Sequence, residues 1–514
     1  MSDRLIGSER VLVEGELRPA VLRTEGDRIA QVWWGTSDPD KVAAHDDGML
    51  GAPPSRSAAV WKLGDRVVLP GGVDTHVHVN EPGRTHWEGF TSAARAAAYG
   101  GVTTIVDMPL NSIPPTTSVE ALRVKQAAAR AASERLPDDE EWQSGRLPCD
   151  VAFWGGAVPG NADDLEPLWD AGVLGFKCFL ADSGVPEFPP LGPDELLVVM
   201  DRLVRFDGLL AVHAEDPAVL AAAPHPQSRA YSDFLLSRPD EAETTAVRTL
   251  LDAVRETGAR THVLHVSSAR VLDLLQEAKE EGLPVTAETC HHYLVFDAEH
   301  IPDGDAAYKC CPPIRDRGNQ DALWDGLRAG ILDCVVSDHS PSSLAEKRLG
   351  GPVGETDLQA AWGGISGLQT GFVALADAAR RRGVPLPEVS RWTSANTAAL
   401  VGLDGGDRPK GVIAEGAAAD LVVYDPEAGT TIDAAQLAHR NPVSAYDGMT
   451  VVGAVTDTVL GGRIAVWSFG EAVAHGNIDG GTWRPANDVE HIRGDGRLIA
   501  RPGSAAAERA GRSA

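Results

Sequence analysis

The sequence predicts an α/β fold: a (β/α)8 TIM-type barrel with a small β-sandwich domain built from the N- and C-terminal segments. Three observations predict it. The middle of the chain alternates short apolar runs with amphipathic helical stretches, eight times over. Both ends are instead rich in short strand-like segments. Metal-ligating residue types recur where the apolar runs of the middle end, which is where a barrel of this kind keeps its active site.

Residues 10–13, 20–23 and 29–34 read as small strands broken by Gly and Asp, and residues 35–60, rich in Gly, Pro and Ser, as a loop. Strand-like segments return at 411–413, 419–424, 451–458 and 462–466. Two β-rich ends around a long middle imply one composite domain, residues 1–66 with 409–474. The barrel then spans 67–408. Its strands are expected at 67–73, 102–107, 150–157, 173–180, 209–214, 261–267, 284–289 and 331–337. Helices are expected between them, at 87–99, 119–134, 193–206, 240–257 and 269–281. Residues 475–514 are rich in Gly, Ala, Arg and Asp with few large apolar side chains, and predict a flexible tail.

The 514 residues, with 54 Gly and 34 Pro, suit a large barrel plus one accessory domain. A net charge of −28 repels nucleic acid and anionic membranes, so neither is an expected partner. Cys149, Cys178, Cys290, Cys310, Cys311 and Cys334 are scattered, with no CxxC pair. They read as reduced thiols of a cytoplasmic enzyme. Residues 1–11 lack the apolar core of a signal peptide, and no run reaches membrane-spanning length.

The first barrel strand runs into Asp74-Thr75-His76-Val77-His78-Val79-Asn80-Glu81-Pro82-Gly83. Residues two apart on a strand point the same way, so His76 and His78 aim both rings at one point. A metal needs such convergence. Strand 4 ends at Lys177, strand 5 at His213, strand 6 at His265 and strand 8 at Asp338. Lys177 stands among Phe176, Cys178 and Phe179, where burial of a cation is costly and favours the neutral amine. A neutral amine can combine with carbon dioxide to give a carbamate, whose two oxygens can bridge two metals. Asp338 can ligate a metal and also carry the proton of an attacking water.

On these residues the chain resembles the cyclic amidohydrolases. The resemblance rests on HVHVNEPG, Asp107-Met108-Pro109-Leu110-Asn111-Ser112, Gly175-Phe176-Lys177-Cys178-Phe179, Glu288-Thr289-Cys290, the KCCPPIR run from Lys309 to Arg315, and Ser337-Asp338-His339-Ser340-Pro341. It covers about residues 5–470, and within the superfamily it is nearest the allantoinase subgroup. It implies a binuclear centre of two divalent ions, zinc by custom, with cobalt, nickel or manganese also suited to these ligands. His76, His78 and Asp338 would hold one ion, and His213 and His265 the other. Lys177, as N6-carboxylysine, would bridge them. The implied reaction opens the cyclic amide of allantoin to allantoate, with Asp338 as general base and acid. A homotetramer is implied as well.

Dihydroorotases carry arginine where this chain has Asn80, and that arginine grips a substrate carboxylate. Asn80 brings no charge and suits a neutral ureide edge, and Met108-Pro109-Leu110-Asn111 also departs from the dihydroorotase pattern. Asn80, Asn111, Cys311 and Ser340 are the implied substrate contacts. Cys311 stands where relatives have serine or alanine. His291 replaces a proline of relatives and reads as a loop histidine rather than a ligand. The segment from Trp362 to Gly367 reads as a close-approach wall over the substrate or as a plain helix-start loop. A hydantoinase, dihydropyrimidinase or dihydroorotase is the competing enzyme. A non-catalytic relative of this fold is the competing class, but such relatives lack several of the six ligands present here.

Overall fold

The computed structural model describes residues 4–44, 59–134, 147–348, 357–467 and 496–507. Most of the expected 35–60 loop and residues 475–495 of the expected tail lie outside them; residues 39–44 form a short helix.

In chain order the strands are β1 (Arg4–Val13), β2 (Glu16–Glu25), β3 (Arg28–Trp34), β4 (Ala59–Lys62) and β5 (Val67–Pro70), then β6 (Gly72–Val77), β7 (Val102–Asp107) and β8 (Asp150–Phe153). After Trp154 the chain continues as β9 (Gly155–Gly156), followed by β10 (Phe176–Phe179), β11 (Leu210–His213), β12 (Thr261–Val263), β13 (Val285–Cys290) and β14 (Cys334–Val336). β15 (Leu421–Thr431), β16 (Thr450–Leu460) and β17 (Arg463–Trp467) complete the set.

The middle strands make a parallel barrel. β6, β7 and β8 pair in order, as do β9 through β14. Val77 pairs in parallel with His339, just past β14, and closes the ring. With β8 and β9 counted as one interrupted strand, the barrel has the eight strands that the sequence predicts. Helices cover it, most by burying one apolar stripe, while Gly371–Arg381 is buried all round over its first nine residues. The helix Asp240–Thr257 buries Ala246, Val247, Leu250, Leu251 and Val254, carries Asp240, Glu241 and Glu243 in its first turn, and ends at Gly258 with φ 71°.

The two chain ends build the second domain, whose strand order is β17-β16-β15-β5-β1-β2-β3, with β4 on β1. Its own apolar core contains Ile6, Leu22, Ile29, Leu421 and Val459. The apolar run at 67–73, expected as one barrel strand, divides at Gly71. A Cβ at Gly71 would lie 2.3 Å from the Thr103 side chain, so only glycine lets the chain turn there from one sheet into the other. β5 therefore belongs to the small domain and pairs with β1 and β15. A buried ion cluster joins the domains: Lys410 Nζ lies 2.8 Å from Asp150 and 2.5 Å from Asp420, and Arg408 reaches Asp150 at 2.8 Å and Asp27 at 3.3 Å.

Residues 496–507 lie within the expected flexible tail and dock on the barrel. β8 pairs with β7 alone among the named strands, and its other edge takes this segment through a Val151–Leu498 bridge. Arg501 stacks 3.8 Å over Trp169. All six cysteines are free. No helix among the described residues is long and apolar enough to cross a membrane.

Candidate metal centre and cavity

β6 brings His76 and His78 to the barrel mouth on the same side, as strand alternation requires. His76 Nε2 lies 3.2 Å from Asp338 Oδ1 and 3.2 Å from Lys177 Nζ. His78 Nε2 lies 3.6 Å from the same Asp338 oxygen. His213 Nδ1 faces His265 Nε2 at 2.9 Å, and the His76 and His265 rings are 5.4 Å apart. The six residues singled out from the sequence thus gather at one place, all of them buried.

The rings are oriented from behind. His76 Nδ1 meets Glu288 Oε1 at 2.5 Å, and His213 Nε2 meets Glu215 Oε2 at 2.7 Å. A carboxylate accepts only N–H, so each ring keeps its other nitrogen unprotonated and turned inward. Glu288 Oε2 also meets His262 Nε2 at 3.0 Å, and Oε1 takes the His265 backbone N–H at 3.3 Å. Arg238 pairs with Glu215. Asn111 Nδ2 lies 3.4 Å from His78 Nδ1, and Asn111 Oδ1 has no partner among the described residues. Turning that amide by 180° would give His78 the same kind of acceptor.

Burial, helped by the charge of Lys177, pushes His76 and His78 well below the ordinary histidine range; His265 is pushed down by burial, His213 and Lys177. The rings are therefore neutral, as ligands must be. Burial lowers Lys177 and raises Asp338. The donor set fits divalent cations: neutral imidazoles with fixed tautomers, a carboxylate, and a lysine depressed toward its reactive amine. His76, His78 and Asp338 satisfy the spacing of a metal-ligand group by themselves.

Backbone strain collects at the same place. Asn80 (φ 65°), Asn111 (φ 65°), His265 (φ 35°) and Asp338 (φ 41°) all hold the left-handed region. Such conformations cost about 1–3 kcal/mol each and persist where the surroundings enforce them.

Above these residues lies a cavity of about 570 Å³. Asn111, Cys311 and Ser340 line it, as expected of substrate contacts. Asn80 is not among the lining residues; its amide donates to Pro341 O at 3.3 Å, next to Ser340 of the lining. Trp362, Gly363 and Gly364 form a wall of the cavity, where a Cβ at Gly363 would sit 3.2 Å from Cys311 Sγ. His291 is no loop histidine. It is buried at the start of the short helix His291–Val295, with neither ring nitrogen bonded among the described residues, and packs where Gly371 leaves no side chain. Sequence reasoning missed Glu215, Glu288, His262 and Arg238. The carboxylates carry a faint signal, since each stands on or just beyond a barrel strand facing the histidines.

Fold and site together define a metal-dependent hydrolase of the barrel type, and the chain belongs to the amidohydrolase family, whose model matches residues 67–465. That family implies a metal centre, and His76, His78 and Asp338 are among the groups spaced to hold an ion. The chain is similar to the allantoinase of Streptomyces avermitilis, with 50% identity over 86% of this chain and 93% of that one. It is also similar to the allantoinase of Saccharomyces cerevisiae, at 41% identity over 89% and 94%. Among solved structures, an L-hydantoinase (dihydropyrimidinase) from Arthrobacter aurescens superposes with a TM-score of 0.79 and 26% identity, covering 98% of this chain and all of that one.

Proposed function

We propose that the protein hydrolyses the cyclic amide of allantoin to give allantoate. The observation that carries the reading is the gathering of His76, His78, Lys177, His213, His265 and Asp338 under one cavity, in a chain whose relatives are allantoinases. His76, His78 and Asp338 would hold one divalent cation, and His213 and His265 a second. Lys177, as N6-carboxylysine, would serve both. Zinc suits these ligands, as do cobalt, nickel and manganese. When bound, such ions polarise a carbonyl and lower the pKa of water to near neutrality.

The chain's own residues do the rest. Asp338 takes the proton of the attacking water and returns it to the ring nitrogen as the amide bond breaks. Glu288 and Glu215 keep the imidazoles in one tautomer. Asn111, Cys311 and Ser340 face the substrate, and the Trp362–Gly364 wall excludes water. Asn80 holds Pro341, the residue after Ser340. The six free cysteines support a reducing, cytoplasmic location. We also infer an oligomer, a homotetramer by family resemblance, which light scattering would test.

Product analysis on allantoin, hydantoin, dihydrouracil and dihydroorotate tests the reading. Allantoin should be opened to allantoate faster than any other. Equal or faster turnover of hydantoin, dihydrouracil or dihydroorotate would overturn the substrate assignment.

A further inference from the structure

We propose that Arg238 reads the side arm of the substrate, donating to the carbonyl oxygen of its neutral ureido group. The inference deepens the cyclic ureide reading above and rests on it.

Arg238 stands in the turn between the helices Tyr231–Leu236 and Asp240–Thr257, and its side chain lines the cavity. Nη1 donates to Glu215, whose Oε2 also meets His213 Nε2 at 2.7 Å. The ion pair sets the Glu215 carboxylate against the guanidinium charge. Nε and Nη2 of Arg238 have no partner among the described residues, and the side chain keeps 22% of its surface open.

A guanidinium in this state has donors to offer and no net charge to offer with them. A lone cation would select a carboxylate. A charge-balanced one suits a neutral carbonyl, presenting planar N–H groups to an acceptor that needs no counter-ion. The rest of the cavity agrees. Asp182, Asp338 and Glu346 line it against Lys177 and Arg348, so the remaining lining adds no excess of positive charge. Arg84, the cation nearest the His-Val-His strand in sequence, does not line it and is spent on Glu187 at 2.5 Å and Asn111 O at 2.9 Å. Arg238 also sits on the His213 side of the centre. An arm projecting from the ring would meet it there, while the ring amide remains over Asp338.

The test separates the arm from the ring. KM for allantoin and the inhibition constant of unsubstituted hydantoin, which lacks the arm, are measured for wild type, Arg238→Met and Arg238→Lys. Metal content is measured alongside. The Lys variant keeps a positive charge beside Glu215 and guards against collapse of the His213 support. KM for allantoin should rise about 30-fold in the Met variant and about 10-fold in the Lys variant. The inhibition constant of hydantoin should move less than about threefold in the Lys variant, with metal content held. If hydantoin weakens as much as allantoin in Arg238→Lys, or neither moves, Arg238 does not read the arm. Absence of allantoin turnover in the wild type would instead overturn the substrate reading itself.

Discussion

The Glu288 carboxylate, on β13, holds the His76 ring of β6 at 2.5 Å across the barrel. The same group takes His262 at 3.0 Å and the His265 backbone N–H at 3.3 Å. One buried acid thus sets the tautomer of one proposed ligand and the backbone of another.

Replacing it should cost metal before it costs fold. Glu288→Gln keeps one acceptor oxygen and the side-chain volume, yet cannot serve both His76 and His262. Losing such a supporting contact weakens a metal site about 10- to 100-fold. Chelator competition should show that weakening, with far-ultraviolet circular dichroism unchanged. Wild-type metal affinity in Glu288→Gln would remove the orienting role.

His291 makes stability depend on pH. Burial holds its pKa at about 3, against 6.5 for a free histidine. Between those values the unfolded chain binds a proton that the folded chain does not. This part of the stability is complete above about pH 6.5 and is lost as pH falls toward about 3, at up to about 1.4 kcal/mol per pH unit. His291→Met removes the titration without breaking a hydrogen bond, since neither ring nitrogen has one among the described residues. Urea unfolding from pH 7.5 to 4 should show a shallower decline for the variant, and parallel curves would refute the linkage.

Cys311 is half-buried and lines the cavity, while the other five cysteines are buried. Iodoacetamide should alkylate Cys311 first and stop turnover by filling the cavity. Cys311→Ser should retain activity within about threefold and resist the reagent. Mass mapping that finds another cysteine modified first would contradict the placement.

Lys410 lies between Asp150 of the barrel and Asp420 of the small domain, at 2.8 and 2.5 Å. Breaking a buried ion cluster by removing one partner costs about 3–5 kcal/mol, because the remaining charges stay buried. Lys410→Met should lower the melting temperature by several degrees while leaving the KM for allantoin unchanged. An unaltered melting temperature would mean that the cluster does not join the domains.

The six proposed ligands were legible in the sequence because each stands at the end of an apolar run, and the barrel fold carries all such ends to one mouth. The helices at 119–134 and 240–257 were legible because one apolar stripe defines each of them. What was not legible depends on contacts between distant elements. Glu288 reaches back to His76 only once the ring closes, and Arg238 to Glu215 only once the connection after β11 folds back on itself. The division of 67–73 depends on Thr103 crowding Gly71, a contact with the next strand. Asn80 has the composition of a substrate contact, but at φ 65° its amide is bonded to Pro341 and it is not among the lining residues. The docking of residues 496–507 reflects an open edge on β8 rather than any apolar pattern of their own.

The central claim is that Lys177 joins two metal ions in a cyclic amidase. Metal content and allantoin turnover of Lys177→Ala beside the wild type test it most directly. The wild type should carry close to two divalent ions per chain and form allantoate. The variant should lose metal and turnover together, with partial recovery when a short carboxylic acid and metal are added. Full activity in Lys177→Ala would contradict the account.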